Sequence, residues 1–176
     1  DRALEELATA GVAELSVDRI ARAAEVNKTS VYRRWPTREA LIAAALARVL
    51  DRLTLAQVDT GALRGDLLHL GEGVAALLAK PEGRALAQAV LAEPTATSIA
   101  ALARQQLEAS AQTPATAMVA RAMARGEWRA DADPVALLGM LVGAILHRAM
   151  FERQPTSRAW LESVVDIALR GVCPRP

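Results

Sequence analysis

The sequence predicts an all-α protein with a small N-terminal head and a larger helical body. Three observations carry that prediction. Hydrophobic residues make up 52% of the 176 positions and are mostly Ala, Leu and Val, while aromatics are 3%; Ala and Leu favour helices and strand-forming aromatics are sparse. Apolar residues recur at helical rather than alternating spacing along most of the chain. Positive charge is gathered near the N-terminus: Ser16 to Arg48 holds seven Lys/Arg against three Asp/Glu, whereas Thr54 to Pro176 holds twelve of each. A net charge of +1 excludes a uniform polycation, but such a local excess is the footprint of phosphate contact.

Ala3, Leu4, Leu7 and Ala8 keep helical spacing, and Gly11 is placed to end that helix. Asp1 to Leu7 is amphipathic with no cap before it, which predicts a first helix that begins upstream of Asp1. Ser16 caps a second helix, whose Val17, Ile20, Ala21 and Ala24 follow the i, i+3, i+4, i+7 rule. Glu25 and Val26 form a turn, and Asn27 caps a third helix of barely two turns. On it Lys28, Thr29, Ser30, Tyr32, Arg33 and Arg34 crowd donors, while Val31 and Trp35, four apart, supply anchors. A short donor-rich helix on an apolar footing suits a DNA groove, so this is read as the recognition helix of a helix-turn-helix. Pro36 breaks the chain, and Thr37 caps a longer helix carrying Leu41, Ile42, Ala45, Leu46, Val49 and Leu53 along one side. The pattern loosens from Gln57 to Gly65, which divides the chain into a head, 1–53, and a body, 54–176.

In the body, Arg64 to Ala79 reads as one helix and Pro81 opens another that runs to Ala92. After Pro94, Thr95 or Thr97 starts a segment reaching Arg125, which Pro114 should kink or split. Gly126 to Asp133 is a connector. Asp133 then caps a helix with Pro134 at its first position, extending to about Glu152. Pro155 and Thr156 precede a last helix to about Arg170, stopped by Gly171 and Pro174. The longest apolar run, Val135 to Leu146, is too short to span a bilayer and is expected to be a buried core helix.

The same inventory excludes several functions. Cys173 is the sole cysteine, so no intrachain disulfide can form and a reducing, cytoplasmic location is expected. His69, with Glu72 at i+3, and His147 are the two histidines. A metal site would need more converging ligands, so neither metal nor cofactor is expected. No nucleophile with its base, paired acid and base, or phosphate-cradling loop is recognisable, which argues against an enzyme. No signal-peptide pattern opens the chain, and no membrane partner is expected.

Ser16 and Val17, Ile20 and Ala21, Ala24, Val26, Lys28, Tyr32, Trp35 and Pro36, and Arg38 to Leu41 stand at fixed spacing in LSVDRIARAAEVNKTSVYRRWPTREALIAAAL. With the helix from Leu4, the pattern spans about a quarter of the chain. It resembles the TetR family of bacterial transcriptional repressors. Two positions depart: Glu25 and Thr29 stand where the family commonly has glycine. By matching position, the resemblance implies phosphate contacts from Lys28 and Tyr32, with grips from Ser16 and Arg38 at the starts of flanking helices. Thr29, Ser30 and Arg33 are candidates for reading base edges or thymine methyls. The Arg33 guanidinium can meet guanine bidentately, and it suits a phosphate equally well.

A head this small reads few base pairs alone, so a homodimer on a near-palindromic double-stranded operator is expected. Leu137, Leu138, Leu141, Ala144 and Ile145, with Trp160, Leu161, Val164, Val165 and Ala168, exceed what one buried stripe per helix needs. They are the expected dimer interface, and the resemblance implies a four-helix bundle of these segments. Gly139 and Gly143, one turn apart, would let another helix approach. The resemblance also implies release of DNA when a small-molecule effector enters the body. Leu68, Val74, Leu78, Leu86, Val90, Leu102, Met118, Met123, Met140 and Phe151 could line its apolar cavity, and each also suits ordinary core. The expected function is thus a DNA-binding transcriptional regulator, a repressor relieved by a ligand. The alternative is a dimerising protein-interaction module without DNA binding. The Lys28, Tyr32 and Arg38 set and the local positive charge speak against it.

Overall fold

The computed structural model describes residues 2–11, 14–51, 58–91 and 116–172, and the regular structure among these is helical. The chain divides into two compact units, Asp1–Arg52 with Leu78–Ser110, and Leu53–Leu77 with Ala111–Pro176.

The first unit holds α1 (Arg2–Ala10), α2 (Val17–Ala23), α3 (Lys28–Arg34), α4 (Arg38–Asp51) and α6 (Pro81–Leu91). Each boundary has a local cause. Gly11, at φ 73°, donates its N–H to the Leu7 carbonyl and closes α1 in the left-handed region. Ser16 Oγ accepts from the Arg19 amide and opens α2. Asn27 Oδ1 accepts from the Thr29 amide at 2.8 Å and opens α3, and Thr37 Oγ1 accepts from the Ala40 amide at 3.1 Å in the first turn of α4. The caps predicted from sequence are therefore the ones used. The α1 helix packs on α4 and α6, and α2 packs on α1 and α3. Leu4, Leu7, Val17, Ile20, Val31, Leu41, Ile42 and Leu86 are buried. Truncating a core leucine such as Leu7 to alanine would cost about 2–5 kcal/mol, transfer and cavity terms together. The expected stripe on α4 ends, within the described residues, at Ala45.

The second unit holds α5 (Leu63–Leu78), helical residues 116–124 (α7), α8 (Pro134–Leu146) and α9 (Arg158–Val172). Its core includes Leu63, Leu67 and Leu68 of α5, Leu137, Leu141 and Ile145 of α8, and Leu161 and Val165 of α9. A Cβ at Gly71 would lie 3.1 Å from Leu161 Cδ2 and 3.6 Å from Ile145 Cδ1, so glycine there leaves room for the side chains that reach α5 from α8 and α9. The start of α5 is capped from a distance: Glu127 Oε2 accepts the Leu63 amide at 2.8 Å and is held by Arg125 Nε at 3.0 Å. Exposed pairs, Arg64 with Asp166 and Arg158 with Glu72, join α5 to α9. Glu72 therefore faces Arg158, while His69 is exposed.

Several expectations are corrected. Asp133 and Pro134 open α8 as predicted, but α8 does not continue to Glu152 as one α-helix: it passes at His147 into a π-helical turn, His147–Phe151. Gly171 does not stop the last helix, which includes it. Nor is the apolar run of α8 a buried core helix. Leu137, Leu141 and Ile145 face inward, whereas Val135 and Met140 are exposed at 77% and 61%. With its π-turn the segment Pro134–Phe151 reaches 18 residues at mean hydropathy 1.7, long and apolar enough to cross a membrane, and 17% of it is buried. The readings at Pro94, Thr95, Thr97, Pro114, Cys173 and Pro174 lie outside the described residues.

Candidate nucleic-acid interface

The α2–α3 connection is closed by two backbone bonds, Glu25 N–H to Arg22 O at 3.1 Å and Val26 N–H to Ala21 O at 3.0 Å. This is a Schellman closure, and it places Glu25 at φ 55°. The departure from glycine noted at this position thus falls on a residue forced into the left-handed region. Beyond it, Val31 is buried and Trp35 half-buried, so α3 sits on the two predicted anchors. Arg34 stacks over the Trp35 ring at 5.0 Å.

Lys28, Thr29, Ser30, Tyr32 and Arg33 are exposed together on α3. Lys28 Nζ lies 2.6 Å from Asp18 Oδ1 of α2 and 5.7 Å from the centre of the Tyr32 ring. The Asp18 carboxylate, by its hydrogen bond first and its charge second, holds the Lys28 ammonium above the ordinary lysine value. Among the described residues Arg33 has no partner, which leaves its fork of donors available. The Ser16 oxygen is occupied by capping, and the Ser16 amide donates to Glu6 at 3.3 Å. Arg38 is part-buried and its Nε donates to the Leu15 carbonyl at 2.9 Å, tying α4 to the segment before α2. The structure therefore brings Lys28, Thr29, Ser30, Tyr32 and Arg33 onto one element and leaves Ser16 and Arg38 in supporting positions.

Two residues escape the sequence reading. Asp18 and Arg22 lie one turn apart on α2, and both are exposed. Their i, i+4 spacing was available as a signal; the pairing of Asp18 with Lys28 across the turn was not.

Comparison with known proteins decides the family. Residues 1–45 match the model of bacterial regulatory proteins of the tetR family, and residues 57–168 match the tetracyclin repressor-like C-terminal domain. The chain belongs to the TetR family. An uncharacterized HTH-type transcriptional regulator of Mycobacterium tuberculosis is 28% identical over 159 residues, 89% of this chain and 76% of its own. A DNA-binding transcriptional repressor TetR of Mycobacteroides abscessus is 28% identical over 173 residues, 95% of this chain and 87% of its own. The crystal structure of TetR family transcription regulator SCO0332 is 34% identical, covers 98% of this chain and 94% of that one, and superposes with a TM-score of 0.72. The fatty acid degradation regulator FadR of Bacillus halodurans shares the fold, with a TM-score of 0.76 at 18% identity and coverage of 97% and 96%. The TetR-family assignment makes this chain a DNA-binding transcriptional regulator, with its helix-turn-helix in α2 and α3.

The body of this TetR-family chain distributes the remaining candidates differently from the sequence expectation. Of the interface set, Leu137, Leu141, Ile145, Leu161, Val165 and Ala168 are buried within the chain itself, where they pack its own core. Leu138, Ala144, Trp160 and Val164 are half-buried. Among the described residues of α8, the π-turn and α9, the exposed large apolar side chains are Val135, Met140, Phe151 and Ile167. A Cβ at Gly139 or Gly143 meets nothing within 4 Å. Of the cavity set, Leu68 and Met118 are buried and Val74 half-buried in the second unit, while Leu78 and Leu86 are buried in the first. Met123, Met140 and Phe151 are exposed, at 50%, 61% and 74%, and do not line an interior of this chain. The Val90 side chain and Leu102 lie outside the described residues.

Proposed function

We propose that this TetR-family regulator is a repressor, that it binds a palindromic operator as a homodimer, and that a small apolar or amphipathic molecule entering its body relieves the repression. The head, 1–53, is the reader, and the body, 54–176, carries dimerisation and effector binding in the cytoplasm. The observation that carries DNA reading is α3, whose donors Lys28, Thr29, Ser30, Tyr32 and Arg33 stand exposed together while Val31 is buried. Lys28 and Tyr32 take phosphates, and Thr29, Ser30 and Arg33 face base edges. Ser16 and Arg38 add grips from the flanking helices.

Dimerisation is supported by the outward apolar residues of the last helices. Val135, Met140, Phe151 and Ile167 leave large apolar side chains in water, and Gly139 and Gly143 leave room for a facing helix. Leu138, Ala144, Trp160 and Val164 flank this face. Effector chemistry follows the composition of the body, where Leu68, Val74 and Met118 are candidate cavity residues. A fold neighbour, FadR of Bacillus subtilis, was crystallised with stearoyl-CoA, which fits an amphipathic ligand class. The test is selection of the purified protein against random duplex DNA at moderate salt. Enrichment of a palindrome with half-sites about one helical turn apart is expected. A folded dimer that enriches nothing would favour a protein-interaction module instead.

A further inference from the structure

The charge arrangement around α3 contains an anion where a reader of phosphates gains nothing from one. Asp18 Oδ1 lies 2.6 Å from Lys28 Nζ, and the two side chains are about half exposed, at 56% and 52%. Arg22 stands one turn from Asp18 on α2, and Tyr32 lies under the same ammonium. The carboxylate is thus set among the donors of the DNA-facing surface. An exposed ion pair of this kind adds little to folding, because water and salt screen it. Its effect is felt where water is displaced, on the approach of DNA.

We propose that Asp18 is an internal stand-in for a DNA phosphate: it occupies Lys28 in the DNA-free head and limits affinity for all sequences alike. The proposal rests on the reading of α3 as the DNA-contacting helix. The charge bookkeeping gives it a distinct signature. A lysine that moves from solution onto a phosphate releases close to one condensed counterion. Lys28 instead moves from one anion to another, and the Asp18 carboxylate, left beside the phosphates without its partner, retains a cation of the DNA's condensed atmosphere. The net release from this contact is therefore close to zero. Removing the carboxylate restores it. Because Lys28 meets the backbone and not the bases, the gain is the same for an operator and for random DNA.

The experiment measures binding to a labelled random-sequence duplex between ~50 and ~200 mM salt, for the full chain and for Asp18→Asn. The variant is expected to bind about three- to tenfold more tightly at the lower salt. Its plot of log K against log salt should be steeper by about 0.9, so that its advantage shrinks about threefold across the range. Lys28→Gln added to Asp18→Asn should return the slope to that of the parent. A thermal midpoint shared by the parent and Asp18→Asn separates this from a change in folding. Binding by both with equal slopes, or a weaker folded Asp18→Asn protein, would overturn the role of Asp18 while leaving α3 as the reader. Absence of binding by both would overturn the reading of α3 as well.

Discussion

Asp66 Oδ1 accepts two hydrogen bonds from Thr60, one from its amide at 2.8 Å and one from its hydroxyl at 2.7 Å. The carboxylate is buried, and its other oxygen receives Arg125 Nη2 at 3.4 Å. Gly65 makes the arrangement possible, since a Cβ there would lie 2.2 Å from Thr60 Oγ1. Arg121 completes the cluster by donating to the Val58 carbonyl at 2.8 Å. This group binds the turn before α5 to the last turn of α7 and the residue that follows it. Asp66→Ala leaves the Thr60 amide without its acceptor, although the hydroxyl can still donate to the Ala62 carbonyl at 3.0 Å, and is expected to cost about 2 kcal/mol, read in calorimetry as a midpoint lower by roughly 4–8 °C. A midpoint within error of the parent would show that the turn closes without the carboxylate.

Glu25 carries a left-handed φ of 55° in the same Schellman closure that Gly126 makes at 71° after α7. A side chain in that region costs about 1–2 kcal/mol, partly offset by the entropy that glycine loses on folding. Glu25→Gly is therefore expected to stabilise the protein by roughly 0.5–1 kcal/mol, measured by denaturant titration. Destabilisation would mean that the Glu25 side chain contributes more than its backbone costs.

The helix caps of the head were legible because each depends on two or three adjacent residues. Ser16, Asn27 and Thr37 are read correctly from spacing alone. The body is harder for a physical reason. On α8, Leu137, Leu141 and Ile145 face the subunit core, while Val135 and Met140 on the same helix face water. A helix that is apolar on both sides gives no period from which to choose the inner one, so core and outward residues of α8 could not be told apart from spacing. The π-turn at His147–Phe151 has no marker in composition, and the Asp18–Lys28 pair depends on how two helices cross. Family resemblance places the motif; it does not place a counter-charge.

Arg33 and Lys28 should separate the two kinds of DNA contact. Arg33→Ala is expected to relax preference at one base position, at about 1–3 kcal/mol for the best base. Lys28→Ala should weaken matched and mismatched sites by the same factor. Competition binding against a panel of single mismatches measures both. Equal losses across the panel for Arg33→Ala would make it a phosphate contact.

Ile167 is exposed on α9, at 64%, with no role in the subunit core. Ile167→Glu places a charge on the proposed pairing face and should give a monomer at micromolar concentration with helical content intact, by light scattering and circular dichroism. A dimer as tight as the parent would move the interface off this face.

The outward apolar side of α8 also bears on how many copies a cell must make. With pairing as proposed, DNA-ready molecules form by mass action, so well below the pairing constant their number follows the square of the number of subunits. Halving the supply would then remove about three quarters of the pairs. Dilution at cell division would act on such a repressor more sharply than on one that works alone.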